Sequence, residues 1–543
     1  MVLSTLLLII LGRLVYAECL PTIGIDGFIG IDVREAMGAA GIDGMFYSVD
    51  AISDTSVREM FLEQRLDHFD RQQSRMFKQR YFINRNFWGG SGSGAPVFLC
   101  VGGEGPPIDS SILSESVHCN DMVELAPSHQ ALLVAVEHRY YGKSNPGEDW
   151  ATESLRWLSS QQALADLAAF RGHIVDEEGL TGQEKWVTWG GSYPGMLAGW
   201  ARLKYPHLFH AAVSSSSPLQ AQLDFPQYAE VVRDALATSG NGVGGSEACA
   251  VRVAFVSVFA PGHAAVGELI KTEAGRQELV TTFNLCKSSC LEDGRARIAF
   301  AGDGVVVLPI QENDPACDGT VCNIKAVCEI MTDERGGSEV QRLAALRKTQ
   351  RKASGKPDEP CEVFPPLETT ASFDADRGTN LLQPLELREM LVSHVGRASD
   401  PSDPERAWLY QTCTEFGFYQ TCEVGTRCPY PQGLHTLDVD LQMCEEAFGI
   451  SPDQVREQVR LTNLYYGGIQ PSGSRVIFPN GAIDPWHALG VLVTPMPGLP
   501  AIYVEGASHH FWTHPSKPTD SREVVRAREV IWNQVTEWLG EDD

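Results

Sequence analysis

No Asn-x-Ser/Thr acceptor occurs anywhere in the 543 residues, so one common sign of passage through a secretory pathway is missing. Basic charge is scarce as well. Lys and Arg number 43 against 70 Asp and Glu, a formal charge of −27, which argues against nucleic acid or an anionic membrane surface as a partner. Such an acidic surface suits an acidic compartment, where protonation of carboxylates lowers the charge. After the N-terminal segment, no run reaches the ~20 uninterrupted apolar residues that a membrane-spanning helix needs. No CxxC pair occurs, and no histidine lies among Cys317, Cys322 and Cys328, so this cluster lacks the ligand set of a zinc site and reads as disulfide cysteine. Neither a metal nor a cofactor is expected.

Residues 1–11 are almost wholly apolar, and Val15 and Ala17 are small residues at the positions a signal peptidase reads, so residues 1–17 are expected to form a signal peptide. The fit is imperfect, because Arg13 follows the apolar run instead of preceding it. Residues 18–55, rich in Gly, Ala and Ile, read as a leader of unspecified structure. All 14 cysteines follow Ala17, an even set that fits an oxidising compartment and a secreted or lysosomal/vacuolar location.

From about Phe61 short apolar runs recur at 96–101, 131–136, 186–189 and 211–213, as expected of parallel strands buried on both faces. Residues 161–171 have helical spacing between the second and third runs, which gives a β-α-β order. After Ser217-Pro218 the strand pattern stops for about 250 residues of mostly helical periodicity. A basic run from Arg342 to Lys356 within it reads as a solvated helix face followed by a loop. Strand-like runs return at 475–478 and 501–504, and an amphipathic helix at 523–539 closes the chain. The economical reading is an α/β-hydrolase fold, residues 56–218 and 470–543, carrying an inserted, mainly helical cap at 219–469 over the sheet edge where open α/β sheets bind ligands.

The run at 186–189 leads into Gly190-Gly191-Ser192-Tyr193-Pro194-Gly195 and then a helical stretch. A nucleophile elbow needs this strand-turn-helix context, although Pro194 replaces the second Gly of the strict pattern. Asp484 follows the 475–478 strand, and His509 follows the 501–504 strand. The order Ser192, Asp484, His509 is the one α/β-hydrolases use, and each residue falls one loop beyond a strand. Asp484-Pro485 is also a turn signal, and His509 could serve as a satisfied surface histidine. Together the three form a candidate triad, with the backbone N–H of Tyr193 and Gly103, in the turn after the first strand, as candidate oxyanion donors.

The chain resembles the peptidase family of lysosomal Pro-X carboxypeptidase, dipeptidyl-peptidase II and thymus-specific serine protease. The resemblance is carried by 64–69 (Gln-Arg-Leu-Asp-His-Phe), 102–106, 137–144 (Glu-His-Arg-Tyr-Tyr-Gly-Lys-Ser), 161–166, the 190–195 elbow, 413–420 and the Asn480-to-Trp486 turn. It implies cleavage of peptide bonds after proline near a chain end, with Ser192 and Asp484 at catalytic positions. The spacing of Gly506-Ala507-Ser508-His509-His510 favours His509 over His510. Met196 and Trp486 match positions lining the proline pocket, with plain core packing as the alternative. The implied partners are peptide substrates, with a homodimer left open. Which chain end is read stays open too, as do an esterase and an inactive binding protein on the same fold.

Overall fold

The computed structural model describes residues 56–147, 151–253, 262–286, 291–292, 294–353, 361–362 and 405–541. The expectations for residues 1–17 and 18–55 lie outside them.

The sheet is built from β1 (Val57–Arg65), β2 (Met76–Asn84), β3 (Val97–Val101), β4 (Leu132–Val136), β5 (Trp186–Gly191), β6 (Ala211–Ser215), β9 (Val476–Gly481) and β10 (Ala501–Val504), with the two short strands β7 (Gln222–Asp224) and β8 (Gly417–Tyr419) standing apart. Its order is β1-β2-β4-β3-β5-β6-β9-β10. Strands β3 to β6, β9 and β10 run parallel, and β1 and β2 are antiparallel. Every residue of β3, β4, β5, β6 and β9 is buried. Helices cover both faces, so these strands carry continuous apolar runs in place of an alternating pattern. This mostly parallel sheet with flanking helices is an α/β-hydrolase fold.

The hairpin β1-β2 has no counterpart in the sequence reading. In β1, charged and apolar residues are mixed, and buried and exposed positions interleave irregularly, so no apolar run marks it. The pair β7-β8 also breaks the expected strand-free stretch, joining Gln222 to Gly417 and Asp224 to Tyr419. Three-residue strands are too short to show a period. Elsewhere between β6 and β9 the described residues are mainly helical. They build their own hydrophobic cluster, which includes Leu236, Val266, Leu279, Phe300, Ile324 and Leu343 and reaches the sheet edge through Ile483.

The basic run is a helix, Glu339–Ala353, but its face is not wholly solvated as expected. Arg342 is buried and donates to the carbonyls of Met331 and Gly337, while Arg347 pairs with Glu362. The reason is tertiary: carbonyls of the preceding segments and a distant carboxylate take up the guanidinium donors.

Several of the polar segments that carry the resemblance meet in one buried network. Arg139 makes a two-pronged pair with Asp166 at 2.7 and 2.6 Å and also donates to the carbonyls of Leu66 and Trp157. His68 bonds the same carboxylate at 2.8 Å, and Gln162 bonds Asp67. Burial would raise the Asp166 carboxyl, but Arg139 and His68 hold it below the usual carboxylate range. Here the polar residues fasten the β1-β2 hairpin to the helix Ser160–Glu177, and removal of one partner from such a buried pair costs about 3–5 kcal/mol.

Six disulfides join Cys100–Cys119, Cys249–Cys328, Cys286–Cys361, Cys317–Cys322, Cys413–Cys444 and Cys422–Cys428. The cluster read as disulfide cysteine is therefore bridged throughout. Six bridges occupy twelve of the 14 cysteines, and Cys19 and Cys290 lie outside the described residues. Thiol titration of denatured, unreduced protein should find at most two thiols. Reduction should lower the unfolding temperature markedly, because each lost bridge typically costs ~2–5 kcal/mol. Fourteen titratable thiols, or an unchanged transition after reduction, would contradict this arrangement.

Candidate active site

Strand β5 ends at Gly191 and the helix Ser192–Lys204 begins at the next residue. Ser192 is held at φ +62°, the left-handed region that a non-glycine residue enters only where the surroundings enforce it. The sharp turn leaves Ser192 partly exposed while Tyr193 and Met196 behind it are buried. Crowding explains the small residues around it. A Cβ on Gly191 would lie 2.7 Å from the His510 ring, so the serine turn and the histidine loop touch directly. A Cβ on Gly103 would lie 2.3 Å from Cγ of Pro194. The glycine-rich loop after β3 therefore rests on the first turn of the serine's helix, and Pro194, the departure from the strict elbow pattern, is its seat.

As the second residue of this helix, Tyr193 has a backbone N–H with no intrahelical partner, and the preceding Gly191 offers no side-chain cap. Its phenol is fixed by His138 Nε2 at 3.0 Å and by Gln411 Nε2 at 2.9 Å, which ties the turn to the inserted segment. In the loop opposite, the N–H of Gly102 is committed to the Val136 carbonyl at 2.9 Å, leaving Gly103 as the next donor along.

Asp484 lies just beyond β9, and His509 just beyond β10. The structure brings them together: Asp484 Oδ2 meets His509 Nδ1 at 2.8 Å, with both side chains buried. The other carboxylate oxygen accepts the Trp486 N–H at 2.9 Å and caps the short helix Pro485–Leu489, so one aspartate serves as both turn former and histidine partner. His509 Nε2 is buried and has no hydrogen-bond partner. His510 is placed differently: its Nδ1 bonds Thr513 and its backbone N–H donates to Ser216. Burial, with other imidazoles packed close by, pushes its imidazole well below the ordinary value, so it stays neutral.

Trp486 is half-buried among Phe225, Tyr228 and Phe418, with ring centroids 5.4–5.7 Å away, and 6.5 Å from His509. Its indole N–H donates to Gln311 Oε1 at 2.9 Å. Met196 has no exposed surface and packs in the main core cluster.

The inserted segment 311–313 fixes the histidine loop. The His509 N–H donates to the Gln311 carbonyl at 3.0 Å, and Ser508 donates to the Asn313 carbonyl at 2.9 Å. Two acidic side chains come with this packing. Glu312 acts electrostatically on His509 and Asp484, and Glu104, next to Gly103, acts on His509. Sequence reasoning assigned no role to Gln311, Glu312, Phe225, Tyr228 or Phe418, which come from segments without a recognisable register to the sheet. Glu104 stood in view within the Gly102–Gly105 turn, and its charge was the available signal.

Among known proteins, the chain is 37% identical over 488 residues to thymus-specific serine protease of Mus musculus, covering 89% of this chain and 87% of the relative. It is 26% identical over 494 residues to lysosomal Pro-X carboxypeptidase of Mus musculus, covering 88% and 89%. The crystal structure of a Mycobacterium smegmatis proline iminopeptidase aligns over 88% of this chain and 99% of that one, at 12% identity and a TM-score of 0.31. The serine carboxypeptidase S28 profile matches residues 64–531, and the chain belongs to that family of serine peptidases.

Proposed function

We propose that the protein hydrolyses peptide bonds that follow proline near a chain terminus, through an acyl-enzyme on Ser192. The observations that support this reading are the buried Asp484–His509 hydrogen bond, which leaves Nε2 without a hydrogen-bond partner, and the strand-to-helix turn that holds Ser192 at positive φ. With its Nδ1 proton donated to Asp484, His509 presents Nε2 as an acceptor. It takes the Ser192 proton as Oγ attacks the carbonyl, then delivers that proton to the leaving amine. Asp484 fixes the tautomer and stabilises the imidazolium. The N–H groups of Tyr193 and Gly103 receive the developing oxyanion. Water then repeats the sequence to release the acyl group.

For the residue before the cut, the aromatic group Phe225, Tyr228, Phe418 and Trp486 offers flat surfaces on which a pyrrolidine ring packs. The name of one relative refers to Pro-X bonds, in line with such a pocket. Six disulfides fit an oxidising compartment, which favours a secreted or lysosomal location, and among the described residues no helix is long and apolar enough to cross a membrane. Incubation with peptides carrying proline second or next to last, with fragments identified by mass, tests the reading. Cleavage after proline supports it, and cleavage indifferent to proline contradicts it.

Trp486→Ala should lower the preference for proline over alanine by ~10–200-fold, equivalent to ~1–3 kcal/mol, because a methyl group makes little use of the indole face. The measurement is the ratio of kcat/KM for matched proline and alanine substrates. An equal fall for both would mean that Trp486 supports the Asp484 turn and does not read the substrate.

A further inference from the structure

The hydroxyl of Tyr193 lies in a buried chain of hydrogen bonds that the mechanism above does not use. His138 and Gln411 are its direct partners, and Tyr141 extends the chain by donating to Gln411 Oε1 at 2.6 Å. All four side chains are buried, and Gln411 has no exposed surface. They come from three distant places: the loop after β4, the serine's helix, and the end of the helix Glu405–Gln411 in the inserted segment.

The chain runs in one direction. His138 Nδ1 sits 2.7 Å from the Arg139 carbonyl, which can only accept, so that nitrogen carries the proton. Burial pushes the imidazole down to about 4, which leaves Nε2 bare as an acceptor. The Tyr193 hydroxyl must therefore donate to His138, and its oxygen accepts from the Gln411 amide. Position 411 needs a donor facing Tyr193 and an acceptor facing Tyr141, which an amide supplies and a carboxylate does not.

The element that presents Gln411 is itself fastened. Just beyond it, Glu415 accepts the Ser160 N–H at 2.9 Å and the Ser160 hydroxyl at 2.6 Å, and Cys413 is bridged to Cys444. Trp408 and Phe416 from the same segment pack against the Tyr193 ring, with centroids 5.6 and 5.3 Å away. The ring is thus held both along its sides and at its tip. Its backbone N–H is the candidate oxyanion donor beside Ser192, and such a donor aids the reaction only as far as its direction is fixed beforehand.

We propose that Gln411 is a positioning residue for peptide hydrolysis: through the Tyr193 phenol it fixes the first turn of the serine's helix, and with it the N–H that receives the oxyanion. This rests on the reading of Ser192 as nucleophile and of the Tyr193 N–H as oxyanion donor. The inserted segment then serves the chemical step itself.

The test compares Gln411→Leu, Gln411→Glu, Tyr193→Phe and the double variant Tyr193→Phe/Gln411→Leu with the parent on one proline peptide, with a fluorophosphonate titration of Ser192 in each. Gln411→Leu and Tyr193→Phe should each lower kcat by about 10–100-fold, short of the roughly 10²–10³-fold that follows outright removal of an oxyanion donor, and leave KM within about threefold. The double variant should be no slower than the slower single variant, because both changes act through one phenol. Relative to the parent, Gln411→Glu should recover activity as pH falls, since a protonated carboxyl again pairs a donor with an acceptor, and Gln411→Leu should not. Every variant should still take up one fluorophosphonate per chain, more slowly than the parent, which separates a misdirected donor from lost folding. Unchanged kcat in both single variants, a rise in KM alone, or losses that multiply in the double variant would each overturn the proposal. Should Gln411→Leu take up no label, the comparison of Gln411→Glu with the parent across pH decides, and a ratio that stays constant overturns it. A parent protein whose Ser192 takes up no label would instead overturn the nucleophile assignment, and this proposal with it.

Discussion

Replacing Ser192 with alanine should reduce peptide turnover by about 10⁶-fold and leave the unfolding transition close to that of the parent. Activity falls because the hydroxyl is the atom that attacks, and nothing in the described site offers a second nucleophile in its place. Stability holds because Ser192 is only partly buried and its helix begins without a side-chain cap, so the lost hydroxyl removes little packing and no cap bond. The φ of +62° is already borne by serine, and alanine bears it about equally. Activity within tenfold of the parent would show that Ser192 is not the nucleophile. A collapse of the unfolding temperature would show instead that the turn depends on the hydroxyl.

Asp484→Asn should lower kcat by about 10⁴-fold, again without unfolding the protein. The turn survives because an asparagine carbonyl can still accept the Trp486 N–H that Asp484 Oδ1 accepts at 2.9 Å. What changes is the other bond, the one to His509 Nδ1. An amide N–H directed at Nδ1 holds the imidazole in the tautomer with its proton on Nε2, where an acceptor is needed. His510→Gln is the companion variant. His510 bonds Thr513 and Ser216 and remains neutral, so its loss should disturb packing beside Gly191 while sparing the acid-histidine pair. A larger loss for His510→Gln than for His509→Gln would reverse the assignment.

How far the sequence could be read depended on where the determinants of each feature lie. The parallel strands were legible because burial on both faces demands unbroken apolar residues, as in β3 and β4. The candidate triad was legible because each member follows such a strand by a few residues, so that strand order alone carries all three to one sheet edge. The hairpin β1-β2 was not legible, since its charged residues hide the pattern. Arg342 likewise resembled a solvated cation, because nothing local reveals that the carbonyls of Met331 and Gly337 will surround it. The part of the site that selects substrate was the least legible. Phe225, Tyr228, Gln311, Glu312 and Phe418 are separated in the chain and meet at Trp486 and His509 only in the folded protein. Sequence reasoning recovers the chemistry of a serine hydrolase from loops tied to strands. It recovers specificity poorly, because specificity is assembled from long-range packing.

The central claim is that Ser192 is the residue acylated during turnover. It is tested most directly by titrating the protein with a fluorophosphonate and locating the adduct by peptide mass, with residual peptidase activity followed in the same samples. The account predicts one adduct per chain, on Ser192, with activity lost in proportion to labelling and no adduct in Ser192→Ala. Complete inactivation with the adduct on another residue, or full turnover in protein whose Ser192 is stoichiometrically labelled, would contradict it.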